Sequence, residues 1–303
     1  MMNNIHSLFV QHWHNSHANR KVEAPSGMPW LCSQIDLGLN VIASRPGMGS
    51  TTMAVSLASE LALAGKRVLY MAFPSQGADK IFVRQFGLHM NIPWECQLPS
   101  ENKLWEQNLP LLENIKLFYN QLLYCCSDYI EIRAKLRNCV REQHLDYIFI
   151  DCIQEITIDK ELYKISIVDY ICSELRALSY ELNVPIVATS QLNRNPEHRC
   201  GVEGKIPQLG DFRGGNVDQY ARLVYFPFRP EYYRVTCDYD GKSLKDIVNV
   251  VVEKNDDGNV GEVRLKYDRE HLRFSSDKSF AEFVDGVKFS KSAPLPHTVD
   301  MPF

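Results

Sequence analysis

The sequence lacks features that would place it in a membrane, secreted or disulfide-rich class. No apolar run in the 303 residues approaches the roughly 18 residues that span a bilayer. The start of the chain shows neither the basic head nor the long apolar stretch of a signal peptide. The nine cysteines include no C-x-x-C pair, and their number is odd. We therefore expect a cytoplasmic protein with reduced cysteines and no membrane partner.

An excess of either charge is also missing. The chain has 33 basic and 37 acidic residues, which gives a net charge of −4. This balance gives no indication of a dedicated nucleic-acid coat protein, although it permits a local basic surface. The hydrophobic fraction of 45% is typical of a globular protein of ordinary composition.

Strand patterns alternate with helix patterns from Leu39 onward. Such alternation predicts an α/β fold with a mostly parallel central sheet and helices on both faces. The last two predicted strands form an antiparallel hairpin at the sheet edge. We expect an arm and linker at 1–26, one domain at 27–275 and a flexible tail at 276–303. The predicted strands are 39–44, 66–73, 145–156, 184–191, 220–228, 246–255 and 258–268, and the predicted helices are 51–65, 77–90, 101–114, 127–144 and 165–183.

A glycine-rich turn joins the first predicted strand to the helix that follows it. A turn in this position presents backbone N–H groups and the helix dipole to a phosphate. The phosphate-loop pattern G-x-x-x-x-G-K-[ST] also needs a lysine for the phosphates and a hydroxyl for Mg²⁺. Gly49 and Thr51 match this pattern, but Ser50 replaces the lysine and Ser44 the first glycine. These residues alone leave a plain strand-turn-helix corner open as the alternative.

Further motifs follow the turn in a fixed order. They are RPGMGST at 45–51, the helix and acid-ending strand within 130–156, ATSQLNR at 188–194, the segment 210–233 and the hairpin at 250–274. In this order they resemble the motor domain of DnaB-type replicative helicases across about residues 27–275, and ATSQLNR is highly specific. The resemblance implies a RecA-like P-loop NTPase fold that uses ATP and Mg²⁺. It also implies single-stranded DNA as a ligand, and a hexamer-like ring of itself or an active replicative helicase as a partner.

The resemblance also assigns roles to individual residues. Thr51 would place its hydroxyl on Mg²⁺, Asp151 would be the metal-site acid at the Mg²⁺-bound water, and Gln191 would sense the γ-phosphate. Lys254 would reach the nucleotide of a neighbouring subunit. The loop residues expected to bind nucleotide are Arg45, Pro46, Gly47, Met48, Gly49, Ser50, Thr51 and Thr52. The residues expected to contact DNA are Arg194, Arg199, Lys205 and Arg213, with Phe212 as an aromatic platform.

The departures from the family pattern fall on catalytic positions. Ser50 stands at the lysine, Pro74 at the glutamate that activates water, and Asp256 at the arginine finger. Phosphoryl transfer depends almost entirely on positioning and charge stabilisation. A serine removes a cation, a proline accepts no proton, and an aspartate inverts the charge. We therefore expect weak or absent ATP hydrolysis, with Glu155 as the alternative base if turnover survives.

Three functions compete at this point. The first is a catalytically impaired helicase relative that acts as an assembly component in DNA replication or mobile-element maintenance. The second is an active ATP-dependent 5′–3′ helicase with an unorthodox phosphate loop. The third, a recombinase-like or circadian-clock-like relative, is disfavoured because ATSQLNR and the terminal hairpin fit the replicative helicases better.

Overall fold

The computed structural model describes residues 27–73, 117–119, 127–158, 166–238 and 241–276. Nine strands in these ranges form a single sheet. Numbered along the chain, they are β1 Leu39–Ser44, β2 Val68–Ala72, β3 Leu117–Tyr119, β4 Tyr147–Asp151, β5 Ile186–Gln191, β6 Ala221–Phe228, β7 Ile247–Asn255, β8 Gly261–Asp268 and β9 Arg273–Ser276. Their spatial order is β3-β2-β4-β5-β1-β6-β7-β8-β9.

The sheet has a parallel part and an antiparallel part. Strands β1 to β6 are all parallel to one another, and β1 lies at the centre of the sheet between β5 and β6. The pairs β6–β7, β7–β8 and β8–β9 are antiparallel. The predicted mostly parallel sheet with an antiparallel hairpin is confirmed. The antiparallel edge is β9, which was not predicted from the sequence because Arg273–Ser276 is short and has a single buried apolar side chain, Phe274.

The three predicted helices that lie in the described residues are confirmed within about two residues at each end, whereas the helix at Gly27–Gln34 and the three short helices after β5 were not predicted. Numbered along the chain, they are α1 Gly27–Gln34, α2 Ser50–Leu63, α3 Tyr129–Gln143, α4 Ile167–Leu182, α5 Asn195–His198, α6 Gly201–Gly204 and α7 Val217–Tyr220, with 3₁₀ turns at Ile153–Glu155, Leu209–Asp211 and Pro230–Tyr233. Asp128 begins α3 by accepting the backbone N–H of Ile130 at 2.9 Å, as an N-cap should. Asn183 ends α4 in the left-handed conformation.

Two apolar cores lie on opposite faces of the sheet. Helices α1 and α2 cover one face, where Met53, Leu57 and other α2 residues are fully buried. Helices α3 and α4 cover the other face, through residues such as Leu136 and Leu175. Strand β1 is buried along its whole length, which agrees with its largely apolar sequence. The predicted coverage of both faces is therefore confirmed.

Several predicted elements lie outside the described residues. These are the arm at 1–26, the helices at 77–90 and 101–114, and the tail from residue 277 onward. Pro74 lies outside them as well. Within the described ranges, no helix combines the length and hydrophobicity that a membrane crossing requires.

Candidate nucleotide site

The phosphate loop lies at the centre of the sheet, between β1 and α2. Gly47 and Gly49 adopt φ angles of 83° and 102°, which only glycine adopts without strain. Helix α2 begins at Ser50 with no acidic residue in its first turn, so its positive dipole end is not neutralised. Next to the loop is a cavity of about 330 Å³. Its lining residues are Ser44, Arg45, Pro46, Gly47, Gly49, Ser50, Thr51, Thr52, Gln191, Arg229, Tyr267 and Phe274.

Aromatic side chains press against both glycines of the loop. A Cβ atom on Gly49 would lie 2.6 Å from Cζ of Phe274, and one on Gly47 would lie 3.0 Å from Cε2 of Tyr232. Phe274 is fixed in turn, because its backbone N–H donates to Ser56 Oγ of α2 at 3.0 Å. Strand β9 therefore forms one wall of the cavity and leaves no room for a larger residue at Gly49.

The cations around the cavity are arranged differently from a standard phosphate loop. Arg45 donates to Glu197 Oε1 at 3.2 Å and to the Leu192 carbonyl at 2.9 Å, so its guanidinium is held by the segment after β5. Arg229 donates to the Gly47 carbonyl at 3.2 Å and lies 4.6 Å above the Tyr267 ring centroid. Within the described part of the chain, these two arginines are the cations that line the cavity.

Three residues that line the cavity were not predicted from the sequence: Arg229, Tyr267 and Phe274. A signal for Arg229 was present, because it directly follows β6, and β6 runs parallel to β1. Ligands bind at the carboxyl ends of such strands. Tyr267 and Phe274 had no comparable signal, since they reach the cavity only through the antiparallel pairing of β8 with β9.

Met48, which was expected to bind nucleotide, has a different position from its neighbours. Its side chain is almost completely buried, and it does not line the cavity. A nucleotide would therefore meet the other loop residues and not this side chain.

Gln191 lies at the cavity, as the sequence predicts. It ends β5 directly beside Ser44 of β1 and lines the cavity. Its side-chain Oε1 accepts a hydrogen bond from Arg213 at 2.8 Å, and its backbone N–H donates to Gln154 Oε1 at 3.1 Å. Gln191 therefore joins the phosphate loop to the segment that carries a predicted DNA-contacting residue. Its role as a phosphate sensor stays a prediction.

Asp151 has an environment that does not fit a Mg²⁺ site. It is 2% exposed and does not line the cavity. One carboxylate oxygen accepts the Tyr70 hydroxyl at 3.1 Å, and the other accepts the Thr189 hydroxyl. Mg²⁺ keeps several of its waters when it binds a protein carboxylate, which needs open space. Of the predicted metal pair, only Thr51 lines the cavity.

Cys152 and Glu155, which follow Asp151 in the chain, are both poorly placed to take part in catalysis at the cavity. Burial, with a smaller contribution from Asp151, raises the pKa of the Cys152 thiol to about 12. This buried thiol agrees with the expected structural role of the cysteine. Glu155, the alternative base, lies in the 3₁₀ turn after β4 and does not line the cavity. No group of three metal-ligating side chains occurs in the ranges that the structure describes.

Lys254 is held by its own chain. Its ammonium donates to the carbonyls of Ala221 at 2.6 Å and Asp218 at 3.0 Å, and it lies 3.4 Å from a carboxylate oxygen of Asp256. The next acid, Asp257, pairs with the largely buried Arg222. The β7–β8 turn is therefore an acidic turn braced by internal cations. The catalytic role of Lys254 toward a neighbouring subunit stays a prediction.

Three of the four predicted DNA-contacting residues have internal partners. Arg199 pairs with Asp211, which is 1% exposed, and Lys205 donates to the Glu197 carbonyl at 2.6 Å. Arg213 contacts Gln191, as described above. Arg194 is exposed at the start of α5. These internal contacts determine the conformation of the segment after β5.

Phe212 was predicted as an aromatic platform for DNA bases, and this prediction is wrong. It is only 6% exposed, and its ring packs 5.8 Å from that of Phe226. A ring buried in this way belongs to the core and has no free face on which a base can stack.

The comparisons with known proteins agree with this architecture. The DnaB-like helicase C terminal domain family matches residues 35–276, a range that contains the phosphate loop, Asp151, Gln191 and the terminal strands. The chain belongs to this family. The predicted family is thereby confirmed, and a helicase relative is favoured over the recombinase-like alternative.

Individual relatives are distant and longer. Replicative DNA helicase DnaC of Bacillus subtilis (strain 168) is 28% identical over 291 residues, which cover 89% of this chain and 61% of the relative. Replicative DNA helicase DnaB of Haemophilus influenzae is 28% identical over 259 residues, which cover 82% of this chain and 53% of the relative. The chain thus spans only about half to three fifths of the length of these curated relatives.

Solved structures give the same fold. The structure of a DnaB-like replicative helicase, described with its interactions with primase, superposes with a TM-score of 0.67 at 22% identity, covering 88% of this chain and 66% of that one. A second structure, of a single ATPase domain, gives a TM-score of 0.66 at 21% identity, covering 92% of this chain and 100% of that one. The predicted RecA-like fold is confirmed.

Proposed function

We propose that this protein is a nucleotide-binding DnaB-like helicase relative with little or no ATP hydrolysis. It serves as an assembly component in DNA replication or mobile-element maintenance. The observation that carries this proposal is a phosphate cradle without its catalytic cation. The loop glycines, the α2 terminus and Thr51 line a cavity of about 330 Å³, while Ser50 stands where the lysine belongs.

Binding and hydrolysis make different demands on this site. Backbone N–H groups and a helix terminus hold phosphate without any side-chain charge. Hydrolysis needs cations positioned where negative charge develops on the transferred phosphoryl group in the transition state. An arginine finger alone increases the rate by roughly 10³–10⁵. Here Asp256 stands at the finger, Pro74 at the base and Ser50 at the lysine. The site therefore retains what binding requires and lacks what turnover requires.

The nucleoside would lie against Arg229 and Tyr267. A guanidinium stacked on an aromatic ring beside the phosphate loop offers two planar surfaces to a base, and both side chains line the cavity. We propose ATP as the nucleotide. The proposed macromolecular ligands are single-stranded DNA, along the segment after β5, and other copies of the chain or an active replicative helicase. Arg194 and Arg213 are the basic residues of that segment best placed for DNA, because both are exposed, whereas Arg199 and Lys205 are half-buried and bonded internally.

Replacing Arg229 with glutamine is expected to weaken ATP binding about fivefold, or roughly 1 kcal/mol, because a stacking cation at the cavity is lost. Isothermal titration calorimetry measures this change. Arg234→Gln is the matched control, since Arg234 is exposed a few residues further along and does not line the cavity. Equal ATP affinities of the Arg229 and Arg234 variants would contradict the proposed position of the nucleoside against Arg229.

ATP turnover with and without single-stranded DNA tests the proposed function directly. We expect a rate close to background in both conditions. Ser50→Lys should tighten ATP binding by about tenfold, because a charge-assisted contact to phosphate contributes about 1.5 kcal/mol. Its hydrolysis should stay low, since Pro74 and Asp256 are unchanged.

Ser50→Gln is the control for side-chain length without charge, and it should leave the affinity within about threefold of the unmodified protein. DNA-stimulated hydrolysis by the unmodified chain that disappears in Asp151→Ala would overturn the proposal. It would establish an active helicase motor instead.

A further inference from the structure

Asp151 lies between two strands that both direct hydroxyl groups toward it. Strand β4 pairs with β2 on one side and β5 on the other. Tyr70 of β2 donates to Oδ2 at 3.1 Å, and Thr189 of β5 donates to Oδ1. Both oxygens of the carboxylate are therefore already hydrogen-bonded by groups of the protein.

The two donors are fixed in place by the sheet. The Tyr70 ring is buried and stacks on Phe149, with centroids 5.9 Å apart and planes 8° from parallel. Thr189 is 2% exposed and follows Ala188, which pairs with Ile150 next to Asp151. Neither side chain can rotate away without opening a gap in a closely packed core.

Burial keeps this carboxylate away from a metal at the cavity. Two donated hydroxyls compensate for the cost of burying a charged group. Each oxygen keeps a further lone pair, but a hydrated Mg²⁺ that used it would need space that a residue absent from the cavity wall does not have. Thr51 is then the one member of the predicted metal pair at the cavity, and a single neutral hydroxyl without a carboxylate is a weak anchor for Mg²⁺.

We propose that this site binds the polyphosphate of its nucleotide without a divalent cation, because Tyr70 and Thr189 hold Asp151 in the core, away from the cavity. The inference rests on the proposed nucleotide binding and adds the ionic requirement of that site. It separates this chain from an ATPase, in which the metal and its acid are indispensable for phosphoryl transfer.

The experiment measures ATP binding by calorimetry in EDTA and again in excess MgCl₂. The inference predicts dissociation constants within about threefold of each other. Binding that tightens tenfold or more with MgCl₂ overturns the inference and leaves the proposed nucleotide binding intact. An absence of binding in both conditions overturns both.

A double variant, Tyr70→Phe with Thr189→Val, removes both hydroxyls with little change in shape. It should acquire a dependence on MgCl₂ of at least tenfold, and Mn²⁺ in the presence of ADP should give a bound signal by electron paramagnetic resonance. Tyr225→Phe is the control, since the Tyr225 hydroxyl is also buried but donates to the Leu31 carbonyl at 2.8 Å. A double variant that folds and stays independent of MgCl₂ contradicts the role of the two hydroxyls. If it does not fold, the comparison of EDTA with MgCl₂ in the unmodified protein decides alone.

Discussion

Replacing Arg199 with methionine is expected to lower the free energy of unfolding by about 3 kcal/mol, which is a structural effect at a residue predicted to contact DNA. The reason is its partner. Asp211 is 1% exposed and pairs with the Arg199 guanidinium, while its other oxygen accepts the Gln208 backbone N–H at 2.8 Å. Methionine keeps the packing of the long side chain but leaves a buried carboxylate without its cation. Urea denaturation measures the loss.

Two further variants separate the structural role of Arg199 from a DNA-binding role. Arg199→Met combined with Asp211→Asn should recover most of the lost stability, because the buried partner is then neutral and can still accept from Gln208. Arg194→Ala, at an exposed position, should change stability by no more than about 0.5 kcal/mol. An Arg199 variant of unchanged stability that lost only DNA binding would show that the ion pair is dispensable.

Gly49→Ala is expected to destabilise the protein by about 3 kcal/mol, or roughly 6–12 °C in Tm, and to abolish ATP binding. Two costs add up at this position. The φ angle of 102° strains any L-residue, and the new Cβ would lie 2.6 Å from Cζ of Phe274. Phe274 is 2% exposed, so its ring could move only into the cavity that it lines.

Gly65→Ala is the control that isolates the backbone cost. Gly65 also has a positive φ, of 83°, but a Cβ there would meet nothing within 4 Å. Its substitution should cost only about 1 kcal/mol. Thermal unfolding by circular dichroism compares the two variants, and similar losses would mean that the contact with Phe274 is easily relieved.

Much of the fold could be predicted because its signals are local. The apolar run at 39–44 is β1, and the periodic segment at 127–144 contains α3, with bounds that shift by one or two residues. The edge strand β9 was missed because its four residues have no periodicity of their own. It is held as a strand by its pairing with β8 and by the packing of Phe274 on α2.

The candidate site was predicted in part. Gln191 and the glycines of the phosphate loop meet at one cavity, as parallel strands in a doubly covered sheet require. Arg229 and Tyr267 were missed, and Phe212 was given a surface role that its burial excludes. The positions of Tyr267 and Phe212 depend on neighbours that are distant in the sequence, whereas Arg229 could have been found from its place directly after β6.

The sequence by itself determined the family, the alternation of strands and helices, and the loss of the phosphate-loop lysine at Ser50. These follow from residue type and spacing, which one chain displays without folding. Only the tertiary structure decided which side chains already have partners. Asp151 is hydrogen-bonded by Tyr70 and Thr189, and Arg199 neutralises Asp211. The physical reason is that burial and hydrogen bonding are properties of contacts between distant segments, and these contacts determine whether a charged residue is available for chemistry.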